Sequence, residues 1–513
     1  MTLSPAAITR LHEPSSCDKR TWLRDVEGLE PAPDGPFQVF IKDQGDRHEL
    51  AVFNELLDEG LEIMDAGGYD DPHALDKTLI GIETGEEVIY QGMLKAELEV
   101  AGEPRTVLGY PDFLIREGDD WVIGDAKLTR RLYESSGSER SDKKAIFLQM
   151  RLYGLLFETM FPGVSFRLRV YNGAGGQDEV AFDDGGSALD ELARVIAIRE
   201  LTEAPEAIVG WTHCGGCGYK PVCWPVAEQE KALGEVIDID RRLAPKLMAE
   251  GIASYPEVAE LTPEDLAAIK AKSGADVDGS RRIIENVEAL IAGKPARRRD
   301  GSGQDVPIDP VVSADANYVM FDIEGLPPQL NEQEKIYLWG LQVFGENQGE
   351  FQACLAGFGD GGDEEGWREF LRQSRAILDE HPGIRFVHWH HYDRRMVEAY
   401  LDRYGDDAHA TGAEVVGSLL DLHPIVKGAV AVPAPSYSLK VIEALDDVKR
   451  ISGFERSVDE VSKGDESIVA HMEAVETDDM SRREEIISSL CAYNEEDLQA
   501  TWAVMKWLRS FAD

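Results

Sequence analysis

The chain is short of positive charge. Its 52 lysines and arginines face 97 aspartates and glutamates, a formal net charge of −45 at pH 7. Proteins that hold nucleic acid by charge alone present a basic surface, so this balance argues against broad, non-specific phosphate binding. It excludes little more, because net charge governs solubility and association rather than fold. Long apolar runs are missing too. No stretch reaches about 18 uninterrupted apolar residues, so no membrane partner is expected. The opening MTLSPAAITRLHEPSSC has no basic segment followed by an apolar one, so a secretory leader is not expected and a cytoplasmic location is. Cysteine is scarce, six in 513 residues, and in a reducing compartment disulfides are not expected. No internal repeat is visible. What remains is a globular composition, 43% hydrophobic, too long for one ordinary core.

Four segments follow from composition and periodicity. Residues 1–232 read as mixed α/β, with helical periodicity over 46–64, strands over 87–100 and 105–126, an apolar helix in FLQMRLYGLLFETMF and a strand in VSFRLRVYN. Residues 233–292 read as short helices. Thr262-Pro263-Glu264-Asp265 is a helix start, with a cap, a proline at the first position and acids in the first turn. Gly251-Ile252 between helices resembles the turn of helix-hairpin-helix elements, against a plain helical spacer. Residues 293–316, rich in Gly, Pro, Asp and Ser, read as a linker in which Arg297, Arg298 and Arg299 are solvated or touch phosphate. Residues 317–513 read as a second α/β unit: strands NYVMFDIEG, IYLWGLQVF and RFVHWH, a helix from near Asp393, and a long C-terminal helix.

GYPDFLIREGDDWVIGDAK, residues 109–127, reads as a hairpin turning at Glu117 to Asp120. Asp112 and Asp125 stand where a strand wants apolar residues, and Lys127 shares a face with Asp125 because strand side chains repeat every two residues. Two close carboxylates stay ionised only with a cation between them. A divalent metal supplies that cation and a water of lowered pKa, and a lysine beside it can serve that water. Outside the hairpin, Gln149 and Tyr153 share one helix face, and His48 and Glu49 lie near an expected helix start. The ordered set His48, Pro111-Asp112, Asp125-Ala126-Lys127 and Gln149-MRL-Tyr153 resembles the RecB-like branch of the PD-(D/E)xK nucleases, with Asp125 where Glu is commoner. The resemblance implies a restriction-endonuclease-like core. It implies that Asp112, Asp125, the Ala126 carbonyl and His48 bind Mg²⁺ or Mn²⁺ and that Lys127 serves the nucleophilic water. Gln149 and Tyr153 would line the site and the DNA path.

HCGGCGYKPVCW places Cys214, Cys217 and Cys223 within ten residues, a metal cluster still wanting a fourth ligand. His213 or Cys17 could supply it, and zinc is the chemically general choice. The resemblance carries its own pattern: some RecB-like nucleases, among them CRISPR-associated nucleases and helicase–nuclease subunits, place one cysteine upstream and three at the domain end around a [4Fe–4S] cluster. Cys17, Cys214, Cys217 and Cys223 match that layout, with zinc as the alternative. Cys354 and Cys491 have no such spacing and read as inert thiols.

Asp322 and Glu324 share a strand face, Asp393 follows His388, and Tyr493 and Asp497 lie one helical turn apart. These acids in this order resemble the DEDD exonucleases of the RNase H-like fold, whose tyrosine subgroup carries Tyr-x3-Asp. The resemblance implies that Asp322, Glu324, Asp393 and Asp497 ligate two metals and that Tyr493 positions water. His388 stands where Asn is usual, and Asp421 is a further polar contact or a strand-end acid. The whole order resembles bacterial RecB-family nucleases with a C-terminal RNase H-like domain. It implies a metal-dependent nuclease, a probable exonuclease, acting on DNA single strands or ends in repair, recombination or defence. The competing readings are a binding or scaffold protein with silent sites, and an RNA-directed 3′–5′ exonuclease using the C-terminal domain alone.

Overall fold

The computed structural model describes residues 2–271, 276–313, 316–327, 334–346, 348–359, 362–457, 461 and 464–512. It divides into two compact units, 1–207 with 213–221, and 208–212 with 222–513. Among the described residues, no helix is long and apolar enough to cross a membrane.

The first unit is built on a six-stranded sheet. Its strands are β1 (Ile63–Asp65), β2 (Val88–Tyr90), β5 (Phe113–Glu117), β6 (Asp120–Lys127), β7 (Phe166–Asn172) and β8 (Gln177–Val180), in that order across the sheet. A separate hairpin pairs β3 (Leu94–Val100) with β4 (Glu103–Gly109). The expected hairpin forms as β5 and β6, with Glu117 opposite Asp120. Alternation on β6 explains why both sheet faces are covered. Trp121 and Ile123 pack with Phe147, Leu152 and Phe157 of the helix Lys144–Met160, while Val122 packs with Val52 and Leu56 of the helix Pro36–Asp58.

Two details differ from the sequence reading. The apolar run VLGYPDFLI is not one strand: β4 ends at Gly109 and pairs with β3, and β5 starts at Phe113 and pairs with β6. Pro111, which has no N–H to give a ladder, stands at the break. The helix carrying His48 starts at Pro36, so His48 lies in its second half and not near its start.

The second unit opens with short helices. Thr262 caps Pro263–Lys270 as expected, its Oγ1 accepting from the Asp265 amide at 3.1 Å. Gly251, at φ +83°, turns the chain between Ala244–Ala249 and Tyr255–Val258. The solvated-linker reading of 293–316 fails at Arg297 and Arg298, while Arg299 is exposed as that reading expects (residues 314 and 315 lie outside the described residues). Strand β9 (Ala296–Arg297) pairs with β15 (Val430–Ala431). Arg298 is 1% exposed and donates to the carbonyls of Lys427 and Arg282, to Glu285 and Asn286, and to the Tyr437 hydroxyl. A guanidinium has five donors, and a pocket of acceptors satisfies them better than a loop in water reveals from sequence.

The main sheet of this unit runs β12 (Gln352–Leu355), β11 (Ile336–Phe344), β10 (Tyr318–Gly325), β13 (Arg385–His388), β14 (Leu419–Asp421), with β10 parallel to β13 and antiparallel to β11. On β10, Val319, Phe321 and Ile323 face Trp367, Phe370, Val397 and Tyr400. Tyr318 and Met320 face the helix Met480–Arg509 through Leu498, Val504 and Trp507. Asp322 and Glu324 continue that second row.

Candidate active sites

In the first unit, the β4–β5 break becomes the site. The Tyr110 carbonyl accepts from the Tyr153 hydroxyl at 2.9 Å, and the Asp112 carbonyl from the Gln91 amide at 2.8 Å. Gly109 makes room: a Cβ there would lie 2.6 Å from Cε1 of Tyr153. Asp112 Oδ2 accepts from the Ala126 amide at 2.7 Å, which ties the two motif strands together. Asp125 is 1% exposed and ion-paired with Lys127. Burial first, then the Asp125 charge, hold the Asp112 carboxyl well above its ordinary range. Burial works against the Lys127 ammonium, but Asp125 and Asp112 outweigh it and raise its pKa. Oδ1 of Asp125 is buried with no hydrogen-bond partner among the described residues. Two carboxylates with one lysine and a bare oxygen fit a divalent cation.

The structure separates the remaining motif residues. Gln149 donates to the Tyr153 hydroxyl at 2.8 Å. Tyr153 is buried, and its pKa is raised by burial and then by Asp125 and Asp112. It therefore supports the Tyr110–Asp112 turn from inside the fold. The Nε2–H of His48 donates to the Tyr171 carbonyl at 3.0 Å, and Tyr171 is the β7 partner of Ala126. Its neighbour Glu49, named from sequence without a role, acts on Asp112 through its charge. Oε1 of Glu49 accepts from the Tyr90 hydroxyl at 2.8 Å and from Gln91 Nε2 at 2.9 Å. Glu13 reaches the site through its charge on Lys127. Glu49 follows a motif histidine and could have been weighed; Glu13 left no sequence signal.

In the second unit, one oxygen each of Asp322, Glu324 and Asp497 lies within 4.8 Å of the others. The register of β10 against β11 shifts between Glu324 and Gly325, a bulge that re-aims a strand end. Asp322 Oδ2 accepts from Asn494 Nδ2 at 2.7 Å. Opposite Asp322 stands Gly340, where a Cβ would fall 1.7 Å from Asn494 Oδ1. Glu324 Oε2 accepts from the Ser467 hydroxyl at 2.7 Å and from Tyr337 at 3.3 Å. Burial and then the Asp497 charge push Glu324 up to about 8, and Asp322 is raised well above its ordinary value by burial, Asp497, Asp393 and Glu324. Such crowding is what a metal relieves.

Asp393 is outside the 4.8 Å trio, but its charge is felt by Asp322. His388, fully buried, holds it: Nδ1 lies 3.4 Å from Asp393 Oδ2 and 2.9 Å from the His390 carbonyl. Tyr493 is buried and lifted above its ordinary pKa by burial and then by Asp497, Glu324 and Asp322, which places it beside the trio. Asp421 is a helix cap, accepting from the amides of His423 and His390 at 3.1 Å each. Two cations unseen from sequence converge on Asp497. Arg456 Nη2 donates to Oδ1 at 2.5 Å while its other bonds go to Glu443, and Lys440 Nζ lies 3.4 Å from the same oxygen and 4.3 Å from the Tyr493 ring centre.

Among the cysteines, Cys17, Cys214, Cys217 and Cys223 are half-buried. The Ser15 hydroxyl donates to the His213 carbonyl at 2.7 Å across 198 residues, which draws the Cys17 segment to the start of the Cys214–Cys217 turn. The Ala32 amide donates to the Gly218 carbonyl and the Tyr219 hydroxyl to the Leu29 carbonyl. Cys354 is buried and its thiol is pushed up to about 12; Cys491 is half-buried and pushed up to about 11.

Comparison with known proteins bears on the domains that carry these two candidate sites. The model of the PD-(D/E)XK nuclease superfamily matches residues 42–224, and that of the RNase_H superfamily matches residues 319–509. The chain thus carries a PD-(D/E)XK nuclease domain followed by an RNase H-like domain. No curated protein matches it. A solved structure titled "Crystal structure of SSO0001" is 14% identical and covers 43% of this chain and 85% of its own, with a TM-score of 0.26.

Proposed function

We propose that the protein is a metal-dependent nuclease with two active sites that hydrolyses DNA, at single strands or ends, as an exonuclease in repair, recombination or defence. The observation that carries this reading is the carboxylate trio Asp322, Glu324 and Asp497, three buried or half-buried oxygens within 4.8 Å in a domain of the RNase_H superfamily.

A bound Mg²⁺ or Mn²⁺ would supply Lewis-acid polarisation of the phosphate and a water of lowered pKa. In the first site, Asp112, Asp125, the Ala126 carbonyl and His48 would hold it. The His48 Nε2–H donates to a carbonyl, so Nδ1 would be the atom offered to the metal, the usual division of labour in a metal-bound imidazole. Lys127 hydrogen-bonds the attacking water and meets the charge that develops on the phosphate. Gln149 and Tyr153 hold the turn that aims Asp112. In the second site, Asp322, Glu324, Asp393 and Asp497 would hold the metals and Tyr493 would orient the water, and His388 lies against Asp393. Cys17, Cys214, Cys217 and Cys223 hold a [4Fe–4S] cluster, with zinc the alternative, and staple the segments already drawn together by Ser15 and His213.

A second reading, that the C-terminal site is silent, is favoured by Arg456 and Lys440 on Asp497, where protein cations already balance a ligand. One set of assays separates these. The full chain, Asp112→Asn, Asp322→Asn and the double variant are compared on labelled single-stranded DNA, duplex DNA and RNA with Mg²⁺ or Mn²⁺. Partial loss of cleavage in each single variant, with complete loss in the double variant, supports two sites. Loss only in Asp112→Asn supports the silent-site reading, and unchanged cleavage in the double variant ends the proposal. Anaerobic purification with iron and zinc analysis decides the cluster.

A further inference from the structure

Tyr69 is 83% exposed, which is unusual for so large an aromatic residue. Its place is not arbitrary. It lies in the short turn Gly68–Asp70, and the Gly68 amide donates to the Gln91 carbonyl at 3.1 Å. Gln91 in turn donates its own amide to the Asp112 carbonyl and its side chain to Glu49. Gly68 presses on that side chain so closely that a Cβ would lie 2.7 Å from Gln91 Oε1. The turn bearing Tyr69 is therefore fastened, through one glutamine, to the Asp112 backbone and to the Glu49 carboxylate. From the other side, Tyr110, two residues before Asp112, meets the Tyr69 ring edge to face, with centroids 5.9 Å apart and planes at 76°. The Tyr110 backbone is itself pinned by Tyr153.

We infer that Tyr69 and Tyr110 form a stacking platform for an unpaired base at the mouth of the Asp112–Asp125–Lys127 site, making single-stranded nucleic acid the substrate of that site. The inference rests on the nuclease reading given above. Edge-to-face packing on Tyr110 keeps the Tyr69 ring from turning freely and leaves a face open to solvent. Base stacking on such a face is worth about 1–3 kcal/mol per base and tolerates any sequence. It needs a base whose own faces are free, which a duplex does not offer. It also answers the charge problem of the chain. At a net charge of −45 the protein gains little from phosphate attraction, whereas stacking draws its affinity from an uncharged contact.

The test uses the full chain carrying Asp322→Asn, so that the first site alone cuts. Steady-state cleavage of oligo-dT, and of the same strand with abasic residues in place of bases, is followed for this protein and for versions adding Tyr69→Ala or Tyr69→Phe. Tyr69 is so exposed that either change leaves the fold intact, which circular dichroism verifies. On oligo-dT, Tyr69→Ala raises KM about tenfold, the lower half of the stacking range, with the effect falling on KM and not kcat. Tyr69→Phe behaves as the parent, and on the abasic strand all three proteins share one KM. An unchanged KM for Tyr69→Ala on oligo-dT overturns the inference, as does an equal rise on the abasic strand. If the Asp322→Asn protein cuts neither strand, the nuclease reading of the first site falls, and the inference with it.

Discussion

Lys127 and Arg456 are both half-buried cations on buried carboxylates, and they answer to different tests. Lys127 is held charged by Asp125 and Asp112, so in the proposed mechanism it would orient and stabilise and not act as a neutral base. Lys127→Ala should lower cleavage at the first site by about a hundredfold, near the lower end of what one proton-handling or electrostatic group contributes. Single-turnover rates in an Asp322→Asn background check this. Arg456 binds Glu443 and Asp497 together, with side chains 14%, 7% and 10% exposed. Arg456→Gln strands the Glu443 charge in the interior and should cost about 3 kcal/mol of stability, read by denaturant unfolding. Neither Arg456 nor Lys440 could be picked out beforehand, because a cation far along the chain from an aspartate declares nothing until the fold brings them together.

Strands and helices show where local pattern suffices. The β5–β6 hairpin, the wholly buried β11 and the cap at Thr262 follow from alternation, apolar content and capping chemistry. The break at Tyr110–Asp112 did not, since apolar alternation runs straight through it and only the change of pairing partner reveals two strands. The helix around His48 begins ten residues before its apolar periodicity does, because none of Pro36–Gln44 is fully buried. Gly340 on β11 is the element-level hinge of the second site. Gly340→Ala drives a Cβ into Asn494 Oδ1 and should push Asn494 off Asp322. The expected result is a loss of about 1–3 kcal/mol in stability, the usual cost of overpacking, together with weaker Mn²⁺ binding at the second site by isothermal titration. If Mn²⁺ affinity stays the same, Asn494 does not position Asp322.

For the molecule as a whole, stability against pH carries the mark of one helical-segment acid away from both sites. Glu235 is buried, with Oε1 unpaired among the described residues, and burial followed by the Glu228 charge raises its pKa to about 7. A carboxyl whose pKa is higher folded than unfolded favours folding only while protonated. Its contribution is complete below about pH 4.5, the ordinary value, and is lost as pH rises through about 7. Glu235→Gln should therefore raise Tm at pH 8 and leave it nearly unchanged at pH 4.5. A Tm gain of equal size at both values would remove the ionisation account.

The order of chemistry along the chain was readable without a fold. Asp112, Asp125-x-Lys127, Asp322-x-Glu324 and Tyr493-x3-Asp497 are short-range patterns, because strand and helix periods already set which neighbours share a face. Two nuclease domains in that order follow from them. The fold alone settled which distant groups meet these acids: Glu49 on Asp112, His388 on Asp393, Arg456 and Lys440 on Asp497, Arg298 in its cage of acceptors, and Tyr69 on Tyr110. Those contacts join residues from 5 to 139 positions apart, and their energies depend on burial and distance, which one-dimensional order does not carry.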